Sequence, residues 1–187
     1  MKSLAKFFII YFIFISTAIF CQTSTTSAVK IFADTKKSTI TYSMSHPMHN
    51  WDGISKDFKA VILYNRDKQS IENIAVSVKV ASFDSQNANR DSHMIETIEG
   101  IKYPNVTFTS TSIKQDGNKI NILGTITFHG ISKPISIEVQ KDLKGKTMII
   151  EGNFQVLMTE YKIEKPSLMG MPTSDIIKLK LHIEFEI

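Results

Sequence analysis

The sequence predicts an all-β domain whose strands close face to face, as a barrel or as a sandwich. Three observations carry this. Segment after segment places a bulky apolar residue at every second position, which is the period of a pleated strand with one buried face. An Asp116-Gly117 pair joins two such segments and supplies the positive φ that a tight hairpin demands. Beyond residues 1–22 no stretch sustains helical periodicity. Strands with one oily face and one wet face must bring the oily faces together, and closure also removes exposed edges.

Residues 1–22 read as a secretory signal. Lys2 and Lys6 give a positive start, and Phe7 to Phe20 is an apolar run of 14 residues, the length of a signal core and short for a bilayer span. An uncleaved anchor is the alternative. Cleavage is placed after Ala18 or closer to Gln22, and Phe20 stands where an acylation signal at Cys21 wants a small side chain. The expected location is periplasmic or extracellular. Cys21 is the only cysteine, so the exported part has no disulfide and no thiolate chemistry and relies on its core for stability. Without Lys2 and Lys6 the formal net charge falls from +4 to +2, too weak a balance to argue for nucleic acid. Residues 23–28 read as a disordered Ser/Thr linker and 29–187 as one domain.

Within that domain Ile40, Tyr42 and Met44 alternate first, then Phe58, Ala60, Ile62 and Tyr64. Asn65 to Lys68 turns the chain into Ile74, Val76, Val78 and Val80. Ser85 to Ile98 is the best helical candidate, with Met94, Ile95 and Ile98 at helical spacing and Gly100 as its terminator. Val106 and Phe108 then share a face, as do Ile120, Ile122, Ile126 and Phe128, with Gly124 marking a bend or bulge between them. Ile135, Ile137 and Val139 follow, then Met148, Ile150, Phe154 and Val156. The last strand is the cleanest, with Ile177 to Ile187 alternating against Lys178, Lys180, His182, Glu184 and Glu186. Those outward charges mix both signs, which reads as a solvated surface.

Three ordered motifs carry a resemblance. They are Arg90-Asp91-Ser92-His93, the block from Tyr103-Pro104 to Ser110, and Gly124 to Pro134 with its Phe128-His129-Gly130 centre. In this order they resemble the YceI-like family, and the likeness extends more loosely from Lys37 to Ile187. The resemblance implies an exported lipocalin-like antiparallel barrel of eight strands with a short helical crossing segment. It also implies a long apolar isoprenoid or similar lipid held inside.

Periodicity alone leaves a packed core and a ligand cavity both open, because an eight-stranded interior can do either. The resemblance favours a channel, with Gly124 and Gly152 leaving room along two strands. The residues assigned to it are Met44, Ile62, Val78, Met94, Phe108, Ile126 and Phe154 inside, Arg90 near the mouth, and Leu168 and Met169 in an apolar flap bounded by Pro and Gly. At about 25 cal/mol per Å2, burying roughly 400 Å2 of tail is worth on the order of 10 kcal/mol before the costs of binding. Arg90 either positions a head group or pairs with an aspartate to staple the crossing segment, with Asp91 as a helix cap in that second reading. A transient contact with a membrane surface is expected of such a carrier. The runner-up is a filled barrel acting as a structural or protein-interaction module.

His46-Pro47-Met48-His49 with His93 raises a metal-binding stress protein as a third reading. A site needs three or four ligands, however, and His129 and His182 alternate onto outward faces. No nucleophile elbow or phosphate loop is present, and no carboxylates pair as acid and base. The sequence therefore reads as non-catalytic, with no cofactor and no metal.

Overall fold

The structure, a computed structural model, describes residues 28–187, so the signal segment, Cys21 and most of the linker lie outside the described residues. The chain runs β1 (Ala28–Phe32), β2 (Thr39–His46), β3 (His49–Ser55), β4 (Phe58–Asn65), β5 (Ser70–Lys79), α1 (Ala88–Thr97), β6 (Asn105–Asp116), β7 (Lys119–Phe128), β8 (Ile131–Lys144), β9 (Thr147–Leu157), β10 (Ser167–Leu168), β11 (Met171–Pro172) and β12 (Ile176–Glu186). Ten strands form one antiparallel sheet in the order β1-β4-β5-β6-β7-β8-β9-β12-β2-β3, and β10 pairs with β11 as a separate ribbon.

The sheet curls until both edges meet the opposite wall. Ala33, just past β1, bridges to Phe185, and Ile54 of β3 bridges to Asp84 beyond β5. Ser38 locks the first corner, donating to the Asp34 carbonyl at 2.7 Å and accepting the Glu184 N–H at 2.9 Å. The expected antiparallel barrel is present, with ten strands in its sheet where eight were expected. Ala28, read as the end of the linker, opens β1 instead. The second extra strand, β3, hides because its inward positions are Trp51, Gly53 and Ser55 rather than aliphatic residues. Gly53 is required there: a Cβ would sit 2.6 Å from Cζ of Tyr42 on the paired strand.

The hairpin at Gly117-Asn118 forms as read, with Gly117 at φ 57°. A bulge falls between Ser110 and Ser112 of β6, directly across from Gly124 of β7. The extra residue, Thr111, lets Phe108 and Ser110 face inward on one side of the bulge and Ile113 on the other.

Helix α1 starts where Asn87 accepts the Arg90 N–H at 3.1 Å. Its end corrects the sequence reading. The left-handed residue is Glu99 at φ 46°, with Gly100 N–H bonded to the Ile95 carbonyl at 2.7 Å and Glu99 N–H to that of Glu96 at 3.1 Å, a Schellman pair. Gly100 serves closeness instead, since a Cβ there would meet Val80 Cγ1 at 2.9 Å.

Two apolar clusters form the barrel's interior walls. Ile62, Ile120, Met148 and Phe185 anchor the first, while Val80, Ile98, Phe128, Met158 and Tyr161 form the second beneath α1.

Candidate functional site

Along the last strand burial changes with depth: Ile183 and Phe185 are buried, while Leu179 and Leu181 on the same inward face are only half-buried. Val76, Phe108 and Phe154 on other strands behave likewise. What these side chains face is empty space. A cavity of about 740 Å3 runs from the helical end into the barrel. Small-molecule sites span about 300–1,000 Å3, and an engineered cavity of about 150 Å3 already admits benzene. The far end is sealed by Ile62, Ile120 and Met148, each 0% exposed. The cavity is therefore blind.

Met44, Val78, Met94, Phe108, Ile126, Phe154, Leu168 and Arg90 all line it, as assigned from sequence. Two assignments are corrected. Ile62 is packed into the sealed end and does not reach the cavity. Met169 is 80% exposed, in the turn between β10 and β11, with Gly170 beside it at φ 76°. Strand alternation gives the side of the wall but not the depth, and a two-strand flap gives no depth at all.

The channel glycines need a larger correction. A Cβ at Gly124 would lie 2.5 Å from Phe108 Cε2 and 2.6 Å from the Thr109 carbonyl, and one at Gly152 would lie 2.6 Å from Val139 Cγ1. Neighbouring side chains already occupy the room those glycines leave. The cavity exists because Leu179, Leu181, Val76 and their neighbours do not meet across the lumen.

The mouth is polar on a small scale. Arg90 lies over Trp51, with Cζ 5.3 Å from the ring centroid, and His49 follows 5.1 Å from Trp51. Asp91, the expected partner or cap, instead takes the Ser85 hydroxyl at 2.6 Å and the Ser85 N–H at 3.2 Å. Among the described residues Arg90 has no carboxylate partner. It is also the one Lys, Arg, Asp or Glu side chain among them that lines the cavity. His46 Nδ1 accepts the Met48 N–H at 3.2 Å, so its Nε2–H donates to the Met171 carbonyl at 3.0 Å and ties the flap to β2. Among the described residues no three His, Cys, Asp or Glu side chains stand together as a metal site.

Two residues that line the cavity, Tyr42 and Thr173, carry hydroxyls that are themselves closed off from it and lack a hydrogen-bond partner among the described residues. Burial pushes the Tyr42 phenol above its ordinary value, so it stays protonated at neutral pH; Asp91 and Asp52 push the same way, while Trp51 and Arg90 pull against them.

His129 was read as outward-facing by alternation, and this too is corrected. It sits past the end of β7 with φ 50° beside Gly130 at φ 71°, a two-residue turn with both residues left-handed. Its ring meets the Tyr161 carbonyl through Nδ1 and the Glu99 carboxylate through Nε2, both at 2.8 Å, and packs edge-on against Tyr103 at 4.7 Å. The His-Gly and Tyr-Pro motifs thus grip one another as a staple at the helical end. Tyr103, Pro104, His129 and Gly130 do not line the cavity, whereas Val106, Thr107, Phe108, Ile126 and Phe128 of the same motifs do.

Beside this staple, half-buried Asp175 takes the Thr159 hydroxyl at 2.7 Å and the Thr159 N–H at 3.0 Å. These bonds hold its carboxyl below the usual carboxylate range. A depressed folded-state value stabilises at pH above the unfolded value, and that stabilisation is lost as pH falls through the folded one. Asp175→Asn should accordingly flatten the fall of melting temperature below about pH 4, measured by thermal melts of both proteins across that range.

An antiparallel barrel with a blind apolar cavity opening beneath a short helix defines a lipocalin-like barrel protein. The YceI-like domain matches residues 33–185, and the chain belongs to the YceI-like family. It is 28% identical over 164 residues to the protein YceI of Escherichia coli O157:H7, covering 83% of this chain and 84% of that one. Burkholderia cenocepacia BcnA has a similar fold, with a TM-score of 0.73 at 21% identity over 81% of this chain and 98% of that one. A polyisoprenoid binding domain from Saccharophagus degradans, implicated in plant cell wall breakdown, gives 0.67 at 14% identity over 85% and 98% of the two chains.

Proposed function

We propose that this protein is an exported, non-catalytic carrier that takes the tail of a long-chain isoprenoid or similar lipid into its barrel. One observation carries the reading: an apolar blind cavity of about 740 Å3, with a single cation and no carboxylate among the described residues that line it. Water gains little in such a space, whereas a hydrocarbon chain gains on the order of 25 cal/mol per Å2 buried. The polyisoprenoid binding domain of Saccharophagus degradans, alike in fold, supports the same ligand class. The filled-barrel alternative does not account for the empty volume. Export, to the periplasm or beyond, and a signal over residues 1–22 followed by a short linker ahead of the domain that Ala28 opens, rest on the Lys2, Lys6 and Phe7–Phe20 pattern and the Ser/Thr segment behind it. Organic extraction of natively purified protein, followed by mass spectrometry, tests the proposal. A co-purifying long-chain lipid is expected, and neither such a lipid nor saturable binding of a polyprenyl probe would sink it.

The rim supports a transient membrane contact. Met48, Leu168, Met169 and Met171 are all exposed; Leu168 also lines the cavity, and His46 binds the backbone of both Met48 and Met171. An oily rim around an oily hole lets a tail pass from bilayer to barrel with little contact with water. The double variant Leu168→Glu/Met169→Glu should slow uptake of a fluorescent polyprenyl probe from vesicles roughly fivefold or more, the effect of losing about 1 kcal/mol of apolar contact. Stopped-flow transfer measures the rate, and melting temperature should not move.

A further inference from the structure

Every sulfur among the described residues is a thioether, since Cys21, the only cysteine, lies outside them. The thioethers fall into two groups. Met148 and Met158 are buried, and Met44 and Met94 line the cavity half-buried. Met48, Met169 and Met171 are 58%, 80% and 37% exposed, and all three stand at the rim. His46 places two of them there: its ring lines the cavity, accepts the Met48 N–H at 3.2 Å and donates to the Met171 carbonyl at 3.0 Å. Met169 lies in the turn that joins Met171 to Leu168, its partner in the ribbon and a lining residue itself. Elsewhere among the described residues the exposed large apolar side chains are Phe32, Ile54, Ile101, Leu123 and Leu143, none of which carries sulfur. Methionine adapts well to irregular surfaces, but it is also the apolar side chain that an oxidant turns polar.

We propose that Met48, Met169 and Met171 form an oxidation site through which a peroxide-class oxidant detaches this barrel from lipid surfaces. This rests on the membrane-contact reading of the rim and adds its control. In the step itself a thioether sulfur gives an electron pair to one peroxide oxygen. An S–O bond forms as the O–O bond breaks, and the second oxygen leaves as water. Sulfur is oxidised by two electrons and the peroxide is reduced by two. The sulfoxide is a polar acceptor, so moving it from water into an apolar layer becomes costly. The barrel is spared, because these three side chains belong to neither interior cluster and His46 holds their backbone rather than their sulfurs. A methionine sulfoxide reductase reverses the step, taking two electrons from a thiol pair and releasing the oxygen as water.

Full-chain protein is loaded with a fluorescent polyprenyl probe, which covers Met44 and Met94, and is then treated with hydrogen peroxide. Stopped flow follows delivery of the probe to vesicles of phosphatidylethanolamine and phosphatidylglycerol. Peptide mass spectrometry should find one added oxygen on each of Met48, Met169 and Met171 and none on Met148 or Met158. Delivery should slow roughly fivefold or more, since each sulfoxide forfeits part of the contact that a buried methionine provides. Melting temperature should hold, and reductases for both sulfoxide epimers, with dithiothreitol, should restore the rate. The triple variant Met48→Leu/Met169→Leu/Met171→Leu, compared with its own untreated rate, should not respond to peroxide. Unchanged delivery from a fully oxidised rim, oxidation of Met148 or Met158 ahead of the rim, a slowing that the reductases leave in place, or equal slowing in the triple variant would overturn the oxidation site while the contact reading stands. Delivery by untreated protein that does not rise with vesicle concentration would mean that the probe crosses through water, and would remove the contact reading and this one together.

Discussion

Leu179→Trp should lower affinity for a polyprenyl probe a hundredfold or more, equivalent to about 3 kcal/mol, while leaving the melting temperature within a few degrees of the parent. Leu179 lies on β12 directly between Phe154 of β9 and Tyr42 of β2, so its side chain sits part-way down the lumen. It is half-buried although it faces inward, which means that its neighbour is void rather than protein. An indole there grows into empty space, avoiding the overpacking cost that enlarging a filled core site would carry. Below it, Leu181 and Ile183 still line the cavity and become unreachable for a tail. The lost contact area, at about 25 cal/mol per Å2, sets the size of the effect. Leu123→Trp is the control, since Leu123 is exposed on the outside of β7 and should change neither quantity. Unchanged affinity in Leu179→Trp, measured by titration and by lipid co-purification, would mean that no tail enters the barrel.

What the sequence made legible follows from what alternation records. On β12 every second residue is aliphatic or aromatic from Ile177 to Phe185, and the wall is as read. The same rule reached Met44, Val78, Phe108, Ile126 and Phe154 on five other strands. It could not find β3, whose inward residue Gly53 is small because Tyr42 fills its place. It put Ile62 in the cavity because inwardness is periodic, whereas depth depends on how many strands converge at the sealed end. His129 was misplaced because it lies past its strand, where φ is positive and alternation no longer applies. The mouth was nearly invisible. Trp51, Tyr42 and Thr173 come from the first and last parts of the domain and meet only through the pairing of β2 with β3 and the bond from Ser174 to Ser45. An inward tyrosine followed by a tryptophan on the next strand was the available signal.

Gly124 carries the second large effect, and its direction is opposite to that of a glycine holding a channel open. Gly124→Ala should destabilise the protein by about 1–3 kcal/mol, and Gly124→Leu by more. A Cβ at that site meets two atoms of the Phe108 ring and the Thr109 carbonyl, and the carbonyl belongs to backbone that the bulge at Thr111 already fixes. The ring is the one contact that can yield. Shortening it by Phe108→Leu in the Gly124→Ala background should therefore restore part of the loss, giving a coupling of about 0.5–3 kcal/mol in a double-mutant cycle read from urea midpoints. Additive effects of the two substitutions would show that ring and glycine do not share this space. Lying over the glycine, the Phe108 ring keeps partly clear of the lumen it lines. Gly124→Ala drives that ring toward the tail, so lipid affinity should fall together with stability, and Phe108→Leu should recover both.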